Sequence, residues 1–165
     1  IFFDAAVNDI FGAQSETLES LQGRDCEVNK FCLYLQRAVS KSMYSDVING
    51  RILFTYSYAL EKISDEIERA WRTSIKYKIK RSSALKELAI LSKEVVGKSF
   101  DLYFQFNSQL IDEIYRLRDS VRESSMSFSK LDPHTIRFVR HLVKIAEDAA
   151  DLNHLTLMRK LPLRE

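Results

Sequence analysis

The chain has little of the residue chemistry that tight turns require. Its 165 residues include only four glycines and two prolines, whereas Leu, Ala, Ile, Lys, Arg and Glu are plentiful. A fold of many short strands needs frequent turn residues, while long helices favour the residues that are abundant here. At 45% hydrophobic residues the chain can also bury a real core. The composition therefore predicts an all-α protein.

An excess of charge of one sign is also missing. The 25 basic and 23 acidic residues leave a net charge of +2, spread along the whole chain. Such a balance creates no field that attracts nucleic acid, so we expect no direct DNA or RNA binding by this segment. The longest basic cluster comprises Lys76, Lys78, Lys80 and Arg81. It lies at a predicted helix end, where cations complement the helix dipole, or else it contacts an acidic partner or, peripherally, an anionic membrane surface.

Long apolar runs and paired cysteines are absent from the sequence. No run approaches the roughly 18 apolar residues of a membrane span, and the first residues do not resemble a secretion signal. Cys26 and Cys32 share one predicted helix at a spacing that cannot form a bridge, and no Cys or His pair has zinc spacing. The simplest expectation is a reducing, cytoplasmic compartment. Because Ile1 is not a Met and already belongs to a helical pattern, we expect the chain to be part of a longer protein.

The sequence repeats weakly at an offset of 82 residues. Residues 60–66 align with residues 142–148 without a gap; Leu, Lys and Ile coincide, and two acidic positions stay in register. A period this long implies two copies of a supersecondary unit. The sequence thus predicts two pseudo-symmetric three-helix bundles, residues 1–80 and 83–165.

Apolar residues at steps of three and four predict three helices in the first half. The first helix is expected over about residues 1–22, with Gly23 ending it. The second carries Phe31 in its apolar stripe and extends to Met43, before Ser45–Asp46 and Asn49–Gly50 interrupt the pattern.

The third predicted helix is long and has a continuous apolar face. The residues of that face are Ile52, Tyr56, Ala59, Leu60, Ile63, Ile67, Ala70, Trp71 and Ile75. At about 100° per residue they cover one side of the helix. Trp71 lies well inside this face, which predicts a buried packing residue and not part of a ligand pocket.

The second half contains clearer boundary signals. Its first helix, with Phe100 in the apolar stripe, is expected to end near Asn107, and the serine-rich residues 124–129 end the next one. Asp132 followed by Pro133 predicts an N-cap and a first helical residue. From there the last helix is expected to run to about residue 161.

Acidic residues recur at one-turn spacing on the two long helices. Glu61 and Asp65 lie at the edge of the apolar face of the third helix, and Glu147 and Asp151 have the same spacing on the last. Carboxylates at i and i+4 repel each other unless a cation lies between them, so each pair is a candidate half-site for a metal ion. Asp25 is either an N-cap of the second helix or a third carboxylate facing Glu61 and Asp65.

A solvated acidic face is the alternative interpretation of the same residues. Arg69 and Arg72 stand four residues after Asp65 and Glu68, where each can form an ion pair. The residues alone leave both interpretations open.

Residue patterns typical of catalysis are sparse. A di-iron bundle carries an acidic residue and a His three apart on two helices, but Asp151 and His154 form a single such pair. No glycine-rich phosphate loop is present, and no His stands at motif spacing from a nucleophile. The sequence therefore predicts a protein that is not an enzyme.

Three segments together resemble one known family. Residues 24–29 read Arg-Asp-Cys-Glu-Val-Asn, and residues 60–65 read Leu-Glu-Lys-Ile-Ser-Asp. Residues 142–152 read Leu-Val-Lys-Ile-Ala-Glu-Asp-Ala-Ala-Asp-Leu. In this order they resemble the acidic segment and the two signature copies of the PhoU phosphate-uptake regulators, particularly the archaeal members.

The resemblance implies a regulatory, non-catalytic protein built from two three-helix bundles. It also implies partners, namely a phosphate transporter and, in bacteria, the associated sensor histidine kinase, and a homodimer is a further expectation. Some family members bind iron or zinc through the acidic motifs. Carried over by position, the first metal site would use Asp25, Glu61 and Asp65.

The chain departs from the family pattern in its second half. Val143 stands where the motif has Glu, and Asn107 replaces the counterpart of Asp25. The second metal site is then reduced to Glu147 and Asp151. Two other functions stay open: a carboxylate-bridged metal protein with a redox or storage role, and a helical adaptor that binds no metal.

Overall fold

The protein is all-helical in a computed structural model that describes residues 2–12, 16–41 and 46–160. The helices are α1 (Phe2–Phe11), α2 (Leu18–Ser40), α3 (Val47–Lys76), α4 (Ser83–Phe104), α5 (Ser108–Met126) and α6 (Pro133–Lys160). Those ranges contain no β-strand. The all-α prediction is confirmed.

The helices form two groups of three. α1, α2 and α3 contact one another, and so do α4, α5 and α6. The contact of α3 with α6, together with a smaller one of α1 with α4, joins the two groups. One continuous core of buried side chains takes residues from all six helices. Two three-helix units are thus confirmed, while the proposed unit boundaries, 1–80 and 83–165, stay a prediction.

The first predicted helix is wrong at its end. It was expected to reach residue 22, but α1 ends at Phe11. The Gly12 carbonyl accepts a hydrogen bond of 2.8 Å from the Arg81 guanidinium, which satisfies one of the backbone oxygens that a helix end leaves unpaired. The apolar period hid this break because Leu18 continues it, although that side chain is 46% exposed and not part of the core.

The helix α2 begins earlier than its predicted start at Asp25. The Thr17 side chain accepts a hydrogen bond of 3.1 Å from the Ser20 backbone N–H, as an N-cap residue does. The helix then continues through Gly23, so the predicted stop there is wrong. The predicted last apolar residue of this helix, Met43, lies outside the described residues.

The predicted interruption before the third helix is wrong at Asn49–Gly50, which belongs to α3, but it agrees with the structure at Asp46; Ser45 lies outside the described residues. Asp46 caps α3, since its carboxylate accepts a hydrogen bond of 2.9 Å from the Asn49 backbone N–H. Gly50 is therefore buried within the first turn of α3.

Boundaries in the second half follow the predictions. Asn107 caps α5 by accepting from the Gln109 backbone N–H at 2.9 Å. The Asp132 carboxylate accepts from the backbone N–H groups of His134 and Thr135, both at 3.0 Å, so α6 begins at Pro133. The expected end near residue 161 falls just beyond the described part of α6.

Trp71 is buried, as predicted, and it also makes a polar contact that the sequence did not suggest. Its indole N–H donates to the Asp9 carboxylate at 2.8 Å. The other oxygen of that carboxylate accepts from the Glu16 backbone N–H at 2.8 Å. The buried Asp9 side chain thus connects α1, the residues before α2, and α3.

The predicted reducing compartment rests on two features, cysteines that form no bridge and the lack of a membrane-spanning helix. Cys26 and Cys32 are both unpaired. None of the helices in the described ranges has the length and apolar character that crossing a membrane requires. A cytoplasmic location stays a prediction.

Replacing Trp71 should strongly destabilise the fold. Trp71→Ala removes a buried indole, and we expect it to lower the free energy of unfolding by about 3–5 kcal/mol. Trp71→Phe retains most of the packing but leaves the Asp9 carboxylate without its indole donor, a loss of about 1–3 kcal/mol. Urea unfolding followed by circular dichroism measures both. An unfolding midpoint unchanged by Trp71→Ala would show that the indole does not support the core.

Candidate functional site

The two copies of the repeated segment lie on the helices that join the two halves. Residues 60–66 belong to α3 and residues 142–148 to α6. Ile63, Leu142 and Ile145, which the repeat has in common or in register, are buried. We call this contact region, residues 60–66 with residues 142–148 and the adjoining His141, the α3–α6 seam.

A hydrogen bond between two largely buried side chains crosses the α3–α6 seam. The Glu66 carboxylate lies 2.7 Å from Nδ1 of His141, and their side chains are 9% and 14% exposed. The other carboxylate oxygen of Glu66 accepts a hydrogen bond of 2.6 Å from Arg69. Because an ionised carboxylate can only accept, Nδ1 of His141 is the donor.

These partners keep Glu66 charged in spite of its burial. Burial alone would raise the pKa of the Glu66 carboxyl group, but the hydrogen bonds from His141 and Arg69 outweigh it and hold this pKa below its ordinary range. Nε2 of His141 is buried and has no hydrogen-bond partner among the described residues. The seam therefore holds one satisfied carboxylate and one imidazole with an unused nitrogen.

Two acidic side chains of α3 form ion pairs with arginines four residues further along the same helix. Asp65 lies 3.0 Å from Arg69, and Glu68 lies 2.7 Å from Arg72. These are the two ion pairs that the solvated-face interpretation predicts, and both are present in the structure.

Asp25 lies inside α2 and faces α3. It is inside α2, so the N-cap prediction is wrong. Its carboxylate accepts from the Ser64 hydroxyl at 2.7 Å and from the Asn29 side chain at 3.0 Å. It therefore faces α3, but its hydrogen-bond partner there is Ser64.

Glu61 lies near a buried thiol. Burial raises the pKa of Cys32, and the nearby negative charge of Glu61 raises it further. The predicted first site is thus spread along α2 and α3, with Asp25 and Asp65 each bound to a different partner.

In the second half, the predicted acidic residues also have different surroundings. Glu147 accepts a hydrogen bond of 2.6 Å from Arg122 of α5. Asp151 is exposed and lies near Tyr115, whose hydroxyl is 3.3 Å from Nε2 of His154. Burial is the main cause that raises the pKa of Tyr115.

The described residues contain no group of three or more His, Cys, Asp or Glu side chains that could hold a metal ion. Guanidinium groups instead supply positive charge beside Asp65 and Glu147. Iron or zinc binding by the predicted residues stays a prediction.

Comparison with known proteins gives no relative: no family model, curated protein or solved structure matches the chain. The resemblance to the PhoU family therefore stays a prediction.

Sequence reasoning missed the Glu66–His141 pair. The repeat gives a signal for both residues, since Glu66 ends the first copy and His141 immediately precedes the second. Treating the two copies as surfaces that contact each other would have placed these residues close together. The acidic stripes predict a separate site on each copy and say nothing of a contact between the copies.

Glu66→Gln should remove part of the acid sensitivity of the fold. The folded-state pKa of Glu66 is lowered, so its stabilising contribution is complete above its unfolded pKa of about 4.3 and disappears as the pH falls through the lower folded value. We expect the variant to be about 1–3 kcal/mol less stable than wild type near neutral pH, with the difference shrinking in acid. Urea unfolding between about pH 7 and pH 3 measures this.

Glu123→Gln is the matched control, because Glu123 is exposed and has no side-chain partner in the described part of the chain. It should leave stability almost unchanged at every pH. A difference between Glu66→Gln and wild type that stays constant down to the lowest pH would contradict the assignment of an ionised, paired Glu66.

Proposed function

We propose that the protein is a non-enzymatic regulator of phosphate uptake, which responds to phosphate supply and acts on a phosphate transporter or its signalling protein through helix surfaces. One observation carries the proposal. The two motif copies, whose order resembles that of PhoU regulators, lie on α3 and α6, which contact each other and join the two halves. The two motif copies thus lie at the α3–α6 seam, the joint between the two halves of the molecule, and not on an isolated surface.

The chemistry of the joint suits a regulator. Leaving a buried hydrogen-bonding group without its partner typically costs about 1–3 kcal/mol. A shift of α6 along α3 that separated His141 from Glu66 would have a similar consequence. The two halves therefore favour discrete arrangements over gradual ones, and a partner that binds one arrangement more tightly can shift the population.

The partners of the motif carboxylates support a form of this function without metal. Arg69 neutralises Asp65, and Arg122 neutralises Glu147. The same ion pairs favour the second candidate function, a metal-free helical adaptor that has no connection to phosphate. Measuring phosphate uptake separates the two.

Deleting the gene in the native organism should release phosphate uptake from its control. We expect the deletion strain to take up phosphate several-fold faster than wild type in phosphate-rich medium, because the restraint on the transporter is lost. The wild-type gene should restore low uptake, and so should the Glu123→Gln control. Glu66→Leu should restore it poorly if the joint transmits the response, provided that immunoblotting shows equal protein levels.

An uptake rate that deletion does not change would contradict the phosphate proposal and leave the adaptor function. Metal analysis of the purified protein addresses the remaining alternative. Stoichiometric iron with oxygen or peroxide turnover would support a redox or storage protein instead.

A further inference from the structure

An open apolar groove runs between α2 and α4. Its volume is about 920 Å³, and its floor comes from α1 and α3. Within the described ranges no Cα atom of α2 lies within 8 Å of a Cα atom of α4, so the two helices form separate walls. The apolar floor and inner walls comprise Phe2, Phe3, Val28, Leu60, Ile63 and Ile67.

Two aromatic residues at the edges of this groove are exposed although the sequence pattern assigns them to the core. Phe31 of α2 is 57% exposed and Phe100 of α4 is 61% exposed. The apolar stripe of α4 otherwise packs on the core, as Leu88 and Val95 do, whereas of the apolar stripe around Phe31 on α2 only Cys32 is fully buried. A continuous apolar surface of this kind is uncommon on a protein without a partner and typically marks an interaction site.

Gly97 leaves a gap in the α4 wall of the groove. A Cβ atom added to it would have no neighbour within 4 Å, and its backbone has ordinary helical geometry. A glycine in the middle of a helix destabilises that helix relative to alanine. Nothing in the chain's own packing requires this residue, whereas a molecule lying in the groove would approach α4 most closely here.

The basic side chains around the groove are already paired, whereas three acidic ones are not paired within the described residues. Its basic residues already have acidic partners: Arg24 with Glu16 at 3.2 Å, Lys93 with Asp4 at 2.9 Å, and Lys98 with Glu113 at 2.8 Å. Three exposed acidic side chains on its walls form no ion pair in the described structure: Glu27, Glu94 and Asp101. The groove therefore offers free negative charge on both walls, which complements a basic ligand.

The walls have the dimensions of a short helix contact. The lining residues of α2 span residues 24–32 and those of α4 span residues 93–101. At 1.5 Å per residue each wall is about 12 Å long, or roughly two helical turns. An amphipathic helix that binds such a groove inserts apolar side chains at positions i, i+3 or i+4, and i+7.

We propose that this groove binds an amphipathic helix of a partner protein, with large apolar side chains on the inner face and Lys or Arg on the two flanks. Phe31 and Phe100 cover the inserted apolar side chains, and Glu27, Glu94 and Asp101 pair with the basic flanks. The inference rests on the proposed function, since a regulator that acts through partners needs a surface that recognises them.

The probe is a synthetic helical peptide of about 18 residues, with Leu at the inner positions and Lys on both flanks. A second peptide has Glu in place of every Lys. Fluorescence anisotropy should show one Lys peptide bound per chain, with binding of the Glu peptide weaker by about tenfold or more.

Charge reversal on the groove tests the site. Glu27→Lys, Glu94→Lys and Asp101→Lys combined should weaken binding of the Lys peptide at least about tenfold. The matched control combines Glu19→Lys, Asp112→Lys and Glu123→Lys, which reverses three exposed acidic residues that lie outside the groove. This control changes the net charge by the same amount as the groove variant. Because its three substitutions lie outside the groove, it should change peptide binding by less than about twofold.

A pair of glycine variants tests the shape of the groove independently of its charge. Gly97→Leu fills the wall, whereas Gly23→Leu adds the same side chain to another mid-helix glycine with open space around it, outside the groove. Both variants should remain helical by circular dichroism. Only Gly97→Leu should abolish peptide binding.

Three results would overturn the inference. One is peptide binding that neither the groove charge variant nor Gly97→Leu reduces. Another is a wild-type dimer in sedimentation that Phe31→Ala with Phe100→Ala dissociates, since a second copy would then fill the groove. The third is a fatty acid that copurifies in the groove and excludes the peptide.

The uptake assay and the peptide assay fail separately. If deletion leaves phosphate uptake unchanged while the peptide binds in the groove, the phosphate proposal is wrong and the docking site stands. If deletion releases uptake while the peptide does not bind, the docking site is wrong and the phosphate proposal stands.

Discussion

The hydrogen-bonded pair of Glu66 and His141 is the contact on which the arrangement of the two halves depends. It lies among the buried Ile63, Leu142 and Ile145, where the apolar surfaces of α3 and α6 pack together. Apolar packing has little directional preference, so it allows many registers of two long helices. A buried charge that needs a particular partner allows few registers. The pair of Glu66 and His141 therefore helps to specify how α3 and α6 pack, in addition to stabilising the fold.

The packing of α3 against α6 determines which carboxylates of the two motif copies are buried and which are more exposed. Next to Glu66 in the chain, Asp65 turns toward solvent and shares Arg69 with it. One guanidinium thus neutralises a buried and a more exposed carboxylate on consecutive residues, so the first motif copy carries its own counter-charge. In the second copy Lys144 forms an ion pair with Asp148, and Glu147 forms one with Arg122 of α5.

Local chemistry determined which parts of the fold could be predicted. Asp132 and Pro133 define the start of α6 through contacts two and three residues away, so the sequence alone predicts it. The pair of Asp65 and Arg69, four residues apart, was foreseen for the same reason.

Distant contacts were not predictable in this way. At the end of α1, the Gly12 carbonyl accepts a hydrogen bond from Arg81, 69 residues further along the chain. Asp25 finds Ser64 at a separation of 39 residues, and Glu66 finds His141 at 75. Periodicity also cannot say what covers an apolar stripe. Phe31 and Phe100 are therefore correctly read as apolar positions, yet they lie at the edge of an open groove.

A double-mutant cycle between Glu66 and His141 tests the central claim most directly. The free energy of unfolding is measured for wild type, Glu66→Leu, His141→Leu and the double variant at neutral pH. If the pair joins the halves, each single variant leaves a buried polar group unpaired, and the double variant should be more stable than the sum of the single losses by at least about 1 kcal/mol. Losses that add to within about 0.3–0.5 kcal/mol would show that the two side chains act independently, and would contradict the account.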